Sequence, residues 1–263
     1  MRVALFATCL ADRFFADACA DSVRVLERFG VEVDVPEGQT CCGQPAYNTG
    51  HREEAARMAR QTARTFADAD YVVLPSGSCA GMIRSFYPGL LDTPGAEDPG
   101  ARTPAAVARS RASPLSARAY ELAEFLVRVL EVLTPAPDGT HVPLGTGLAG
   151  RRIAYHHGCH ALRELGVRDE PLALLRACGA EVVAWDGDIE CCGFGGLFST
   201  KFPAVSAGMA DRKLDALSPG VDAVASADGG CLLQLAGRAR HRSAGAQPPF
   251  VHLATLLREG IGA

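Results

Sequence analysis

The chain has 263 residues, with 26 Lys and Arg against 30 Asp and Glu, for a formal charge of −4. That balance excludes a protein built mainly to grip nucleic acid, because neutralising phosphates takes a basic surplus. Apolar residues at 48% and charged residues at 21% exclude wholesale disorder. No apolar run reaches the roughly 18 residues of a membrane helix, so no membrane insertion is expected. Met1 to Thr8, ahead of Cys9, is too short for the apolar core of a signal peptide, and the chain is expected in the cytoplasm. In that reducing setting, ten cysteines point to metal binding or redox chemistry before disulfides.

In chain order, the apolar run "RVALFATC" predicts a strand that ends at Cys9. "DSVRVLERFG" has helical periodicity and stops at Gly30, and "RFGVEVDV" predicts the next strand. A loop carrying Cys41-Cys42-Gly43 follows, then a helix, then the strand "ADYVVLPSGSC" ending at Cys79. Asp92 to Ser116, rich in Pro, Ala, Gly and Arg, reads as an insertion or loop. "YELAEFLVRVL" (Tyr120 to Leu130) reads as one amphipathic stretch. Thr134 to Gly150, with Pro135, Pro137 and Pro143 among glycines, reads as a linker.

The pattern then starts again. "RIAYHHGC" ends at Cys159, "ACGAEVVAW" answers "RFGVEVDV", and "VDAVASADGGC" ends at Cys231. Cys9 and Cys159 are each followed by 31 residues and then by a pair, Cys41-Cys42 and Cys191-Cys192. Each pair is followed by a glycine, Gly43 and Gly193, and "VHLATLLREG" closes the second unit as "YELAEFLVRVL" closes the first. Such agreement indicates a duplicated unit. The expected fold is α/β, with two pseudo-symmetric repeats over residues 1–133 and 151–263 joined by a linker at 134–150. Each repeat is a small parallel, Rossmann-like sheet flanked by helices, with the cysteine loops at the strand ends where ligands gather.

Four soft thiolates per unit suit an iron–sulfur cluster or a zinc ion. The close C-x₂₋₄-C knuckles of structural zinc sites are absent, and adjacent cysteines reach separate corners of a larger cluster more readily. The spacing therefore favours one [4Fe–4S] cluster on Cys9, Cys41, Cys42 and Cys79, and a second on Cys159, Cys191, Cys192 and Cys231. Gly43, Gly77, Gly193, Gly195 and Gly196 can turn backbone N–H groups towards sulfur. His160, directly after Cys159, is the best candidate beside a cluster, ahead of His156 and His157. Arg163 and Glu164 read as a local ion pair, and Lys201 as a surface residue. Cys19 and Cys178, each in a predicted helix, read as small buried hydrophobes. No nucleotide, flavin or hydrolase motif is present.

The stretches "TCCGQPAYNTGH", "PSGSCAGMIRSFYP", "YHHGCHALRELGV" and "CCGFGGLFSTKFP" resemble the CCG cysteine-rich domain family. That family includes subunits of heterodisulfide reductase and glycolate oxidase. The resemblance is closest to the lactate utilization protein A family and covers most of the chain. It implies an electron-passing component of an assembly that oxidises L-lactate to pyruvate. The implied partners are the other lactate-utilization subunits, one of them a ferredoxin-like iron–sulfur protein. Where the family pattern has C-x-x-C, this chain has Ser76-x-x-Cys79 and Asp228-x-x-Cys231, so each unit lacks a fifth cysteine. A loop-turning role for Ser76 and Asp228 is favoured over oxygen ligation. Two other classes fit a cysteine-rich chain: a thiol–disulfide reductase and a structural zinc protein.

Overall fold

The structure, a computed structural model, describes residues 1–91, 114–135, 143–242 and 247–263. The first half opens with β1 (Arg2–Leu5), helices Cys9–Phe14 and Ala16–Arg28, and β2 (Glu32–Asp34). Helices Gln44–Asn48 and Arg52–Thr65 lead to β3 (Tyr71–Leu74). Helix Gly77–Gly81 then continues through a π-helical turn, Met82–Phe86, into Tyr87–Leu91. A short helix, Leu115–Arg118, precedes β4 (Ala119–Glu121), which runs straight into the helical stretches Leu122–Glu124 and Phe125–Val129. The second half repeats the plan: β5 (Arg152–Tyr155), helix Glu170–Ala177, β6 (Glu181–Val183), helices Leu197–Lys201 and Pro203–Asp215, β7 (Ala223–Ser226), helix Gly229–Arg242, β8 (Phe250–His252) and helix Leu253–Ile261.

Each half forms one four-stranded, wholly parallel sheet, ordered β2-β1-β3-β4 and β6-β5-β7-β8. The expected pair of α/β repeats is present, with one addition. The amphipathic stretches at Tyr120 and Val251 each begin as an edge strand before turning helical. β4 pairs Val72 with Ala119, and β8 pairs Val224 with Phe250. Three-residue strands carry too little alternation to stand apart from the helix that follows them. Most of the expected insertion, residues 92–113, lies outside the described residues, as do residues 136–142 of the expected linker. The remainder of that linker is packed. The Leu144 N–H donates to Ala177 O (2.9 Å), the Gly147 N–H to Gly260 O (3.0 Å) and the Leu148 N–H to Cys178 O (3.1 Å).

Side-chain alternation along the strands sorts the core into layers. Val3, Leu5, Ile153 and Tyr155 face a core shared by both halves, joined there by Val25, Leu26, Leu126, Leu174, Leu253 and Leu257. Ala4 and Phe6 face outward to a second core under helix Arg52–Thr65, and Ala154 to a third under helix Pro203–Asp215. The halves are thus welded through their inner sheet faces, with helix Leu253–Ile261 lying on helix Ala16–Arg28. Among the described residues no helix is long and apolar enough to cross a membrane.

Candidate metal centre

Parallel strands that end at one edge deliver their loops to that edge. Cys9 opens the helix just after β1, and Cys79 lies in the first turn of the helix after β3, with Ser76 as its N-cap. The Ser76 hydroxyl accepts the Cys79 N–H (3.3 Å). Cys41 and Cys42 follow β2, and Gly43 turns the chain with φ +84°. A side chain there would meet Ala55 O at 3.2 Å. Cys159, Cys191, Cys192 and Cys231 repeat the arrangement, with Gly193 at φ +83° and Ser206 O only 2.5 Å from where a Cβ would sit. Gly77 serves a different end from the one expected: it lets its helix touch the second half, since a Cβ there would lie 2.5 Å from Ala161 Cβ.

The sulfurs gather in two quartets. Cys42 Sγ lies 3.3 Å from Cys79 Sγ, and Cys192 Sγ lies 3.2 Å from Cys231 Sγ. These gaps far exceed the ~2.05 Å of a disulfide, and all ten cysteines are free. The Gly43 N–H points at Cys41 Sγ (3.4 Å), the Gly193 N–H at Cys191 Sγ (3.5 Å) and the Phe194 N–H at Cys192 Sγ (3.5 Å). Within each quartet hydrogen bonding favours the thiolate form at the first cysteine of the pair. Thiol donation from Cys42 and Cys9, with the Gly43 N–H, pulls Cys41 down to about 3. Donation from Cys159 and Cys192 lowers Cys191 in the same way. The donors Cys9, Cys42, Cys159 and Cys192 are pushed up by giving hydrogen bonds to their neighbours and by burial.

The sequence reading put each quartet at the strand ends of its own sheet. Both quartets line a single cavity of about 230 Å³ between the halves, together with Thr8, Gln44, His160, Phe194 and Asp228. Ser76 and Asp228 hold loops, as favoured from the sequence. Asp228 Oδ1 accepts the Ser78 N–H (2.9 Å) and the Ser76 hydroxyl (3.2 Å), so a second-half carboxylate fastens the Cys79 loop of the first half. His252 Nε2 bridges Pro75 O (3.0 Å) and Ala227 O (3.1 Å), one carbonyl from each half. Gln39 ties the start of the Cys9 loop, accepting the Ala7 N–H (2.9 Å) and donating to Leu5 O (2.9 Å).

The candidate histidines divide. His160 reaches the cavity wall, and its Nδ1 pairs with Glu164 (3.0 Å), the residue expected to pair with Arg163. His156 is fully buried; Nδ1 faces Asp188 O (3.3 Å), and burial holds its pKa down to about 3. Cys19 donates its S–H to Ala7 O (3.3 Å) and stands outside both quartets. Cys178 is buried in the shared core, one residue beyond the helix it was expected to occupy.

Lys213 was missed by the sequence reading. It is fully buried, its Nζ donates to the carbonyls of Gly187, Asp188 (3.2 Å) and Glu190 (3.0 Å), and it lies 4.4 Å from the centre of the Trp185 ring. Burial lowers its pKa to about 8 against the pull of Cys192 and Cys231. Its signal was positional: Ser206, Ala210 and Lys213 share the buried face of one helix at spacings of four and three.

Comparison with known proteins agrees with this architecture. The sequence model of the CCG family, described as a cysteine-rich domain, matches residues 3–84 and 153–236. Lactate utilization protein A of Geobacillus kaustophilus (strain HTA426) is 44% identical over 240 residues, covering 90% of this chain and 91% of that protein. The protein of the same name from Shouchella clausii (strain KSM-K16) is 42% identical over 240 residues, again 90% and 91%. That from Geobacillus sp. (strain WCH70) is 40% identical over 259 residues, 98% of this chain and 99% of that protein. The chain, with its two CCG cysteine-rich repeats, belongs to the lactate utilization protein A family.

Proposed function

We propose that this protein serves lactate utilization as an electron-carrying component of an oxidoreductase assembly that converts L-lactate to pyruvate. In this reading each quartet holds one [4Fe–4S] cluster: Cys9, Cys41, Cys42 and Cys79 the first, Cys159, Cys191, Cys192 and Cys231 the second. The observation that carries it is eight thiols in two quartets on one cavity, with backbone N–H groups directed at sulfur. The donor set fits the group, since soft thiolates suit cluster iron and the nearby oxygens of Ser76 and Asp228 are engaged in holding loops. Bound clusters would supply one-electron transfer. The chain itself supplies ligand geometry, N–H···S bonds and burial, which together set the potentials. Cys41 and Cys191, whose thiolate form is favoured by donated hydrogen bonds, are in this reading the first sulfurs to take iron.

The partners in this reading are the other lactate-utilization subunits, including a ferredoxin-like iron–sulfur protein, and the location is the cytoplasm. The relatives' names support the lactate assignment, and the sulfur geometry supports the electron-carrying role. Anaerobic purification with iron, sulfide and zinc analysis tests it. The expected result is a coloured protein with about eight irons and eight sulfides per chain, roughly halved in Cys192→Ser. Colourless protein carrying zinc without labile sulfide would overturn it. Co-purified with its partners, the protein should be reduced on adding lactate. A thiol–disulfide reductase also draws support from the thiolate character of Cys41 and is separated by assaying disulfide cleavage without lactate.

A further inference from the structure

The two halves match residue by residue around their first strands. The Phe6 N–H donates to Val73 O (2.9 Å) in the first, and the His156 N–H to Ala225 O (2.7 Å) in the second, so Phe6 and His156 occupy equivalent positions. Phe6 packs on the Phe66 ring, 5.1 Å away, within a hydrophobic cluster. His156 fills the same space with two nitrogens. Its Nδ1 faces Asp188 O at 3.3 Å, and a nitrogen facing a carbonyl oxygen must carry the hydrogen. Nε2 is then left with a bare lone pair. That atom is buried and has no hydrogen-bond partner among the described residues. A ring nitrogen of His156 lies within 4.8 Å of the sulfurs of both Cys192 and Cys231.

A buried nitrogen without a partner calls for an explanation, and the first half shows that a phenyl ring can fill this position. An imidazole with one nitrogen tied to a backbone carbonyl and the other unpartnered, beside two cysteine sulfurs, is arranged as a metal ligand is. Lys213 and the His157 N–H, both bonded to Asp188 O, hold that carbonyl in place behind the ring.

We propose that His156, through Nε2, is a ligand of the centre held by the second quartet, so that the two centres differ: sulfur donors alone in the first half, sulfur plus imidazole in the second. This rests on the reading that each quartet holds an inorganic centre. Taking an iron in place of one of the four thiolates, a neutral imidazole leaves the centre less negatively charged and raises its potential. The second centre therefore draws electrons from the first, and transfer through the protein runs from the first half to the second.

The test uses the full chain, reconstituted anaerobically with iron and sulfide and reduced by one electron. Pulsed electron paramagnetic resonance should show a strongly coupled nitrogen, and labelling histidine with ¹⁵N should shift the coupling without any substitution. His156→Phe, which copies the first half, should abolish the coupling and lower the electron affinity of one centre at least tenfold, leaving the other unchanged. Full iron and sulfide loading without a coupled nitrogen overturns the inference and leaves the cluster reading intact. A coupling that survives His156→Phe also overturns it. If no labile sulfide is incorporated, the cluster reading fails, and Co²⁺-loaded protein decides the inference. A hyperfine-shifted, exchangeable imidazole proton present in the wild type and lost in His156→Phe supports it; no such proton in the wild type overturns it.

Discussion

At the scale of single residues, the cysteines sort by electrostatics. Cys41 is pulled down to about 3 by its thiol neighbours, whereas burial pushes Cys19 and Cys178 up to about 11. Only the thiolate reacts with an alkylating agent. In metal-free protein at pH 6, iodoacetamide should therefore modify Cys41 and Cys191 first, at a rate nearly independent of pH. Cys19 and Cys178 should react later than these two, and faster as pH rises towards their raised values. Peptide mapping by mass spectrometry reads the order, and early modification of Cys178 would contradict it. Cys178→Ala should leave iron content unchanged and cost about 1 kcal/mol of stability through lost packing, measured by denaturant unfolding. The sequence showed which eight cysteines belong together, because their spacing repeats. It ranked His160 over His156, because adjacency to Cys159 is visible in one dimension and an unpartnered buried nitrogen is not.

Among the elements, the cysteine-pair turns and the last strands carry most of the consequences. Gly193 combines φ +83° with backbone 2.5 Å from a would-be Cβ, while the nearest atom at Gly43 is 3.2 Å away. Gly193→Ala should cost about 2 kcal/mol or more and reduce iron loading of the second centre. Gly43→Ala should be milder in both, as thermal unfolding and iron analysis would show. Glu121 ends β4 and accepts the N–H groups of Ala123 (2.8 Å) and Glu124 (3.1 Å). Its other oxygen is buried without a partner among the described residues, and burial raises its pKa to about 8. A raised carboxyl pKa means that the folded state holds a proton the unfolded chain has lost. Its contribution to stability is thus full below about pH 4.5 and is lost as pH rises through about 8. Glu121→Gln keeps an acceptor for the two N–H groups and should flatten the pH dependence of unfolding free energy over that window. β4 and β8 escaped the sequence reading because their pairing partners, Val72 and Val224, lie elsewhere in the chain and the helical pattern nearby dominates.

Considered as a whole molecule, the protein depends on each half completing the other. Asp228 belongs to the second half yet accepts from Ser76 and Ser78 beside Cys79 in the first. Removing a buried acceptor leaves its donors unsatisfied, at about 1–3 kcal/mol. Asp228→Ala should therefore destabilise the protein by that amount and speed hydrogen exchange over residues 76–81. It should also weaken iron retention in the first centre. Asp228→Asn, which keeps an acceptor, should do less. Unchanged exchange in that segment would show that the bond across the halves does not hold the Cys79 loop.

The sequence by itself determined the duplication, the parallel α/β character of each half and the grouping of the cysteines, because strand length, glycine turns and cysteine spacing are local properties that repeat in register. Only the tertiary structure decided that both quartets open onto one cavity, that Asp228 and His252 tie the halves together, and that Lys213 and His156 lie buried behind the second quartet alone. These outcomes depend on how one sheet packs on the other. That packing joins residues up to 177 positions apart, and no local pattern in the chain encodes it.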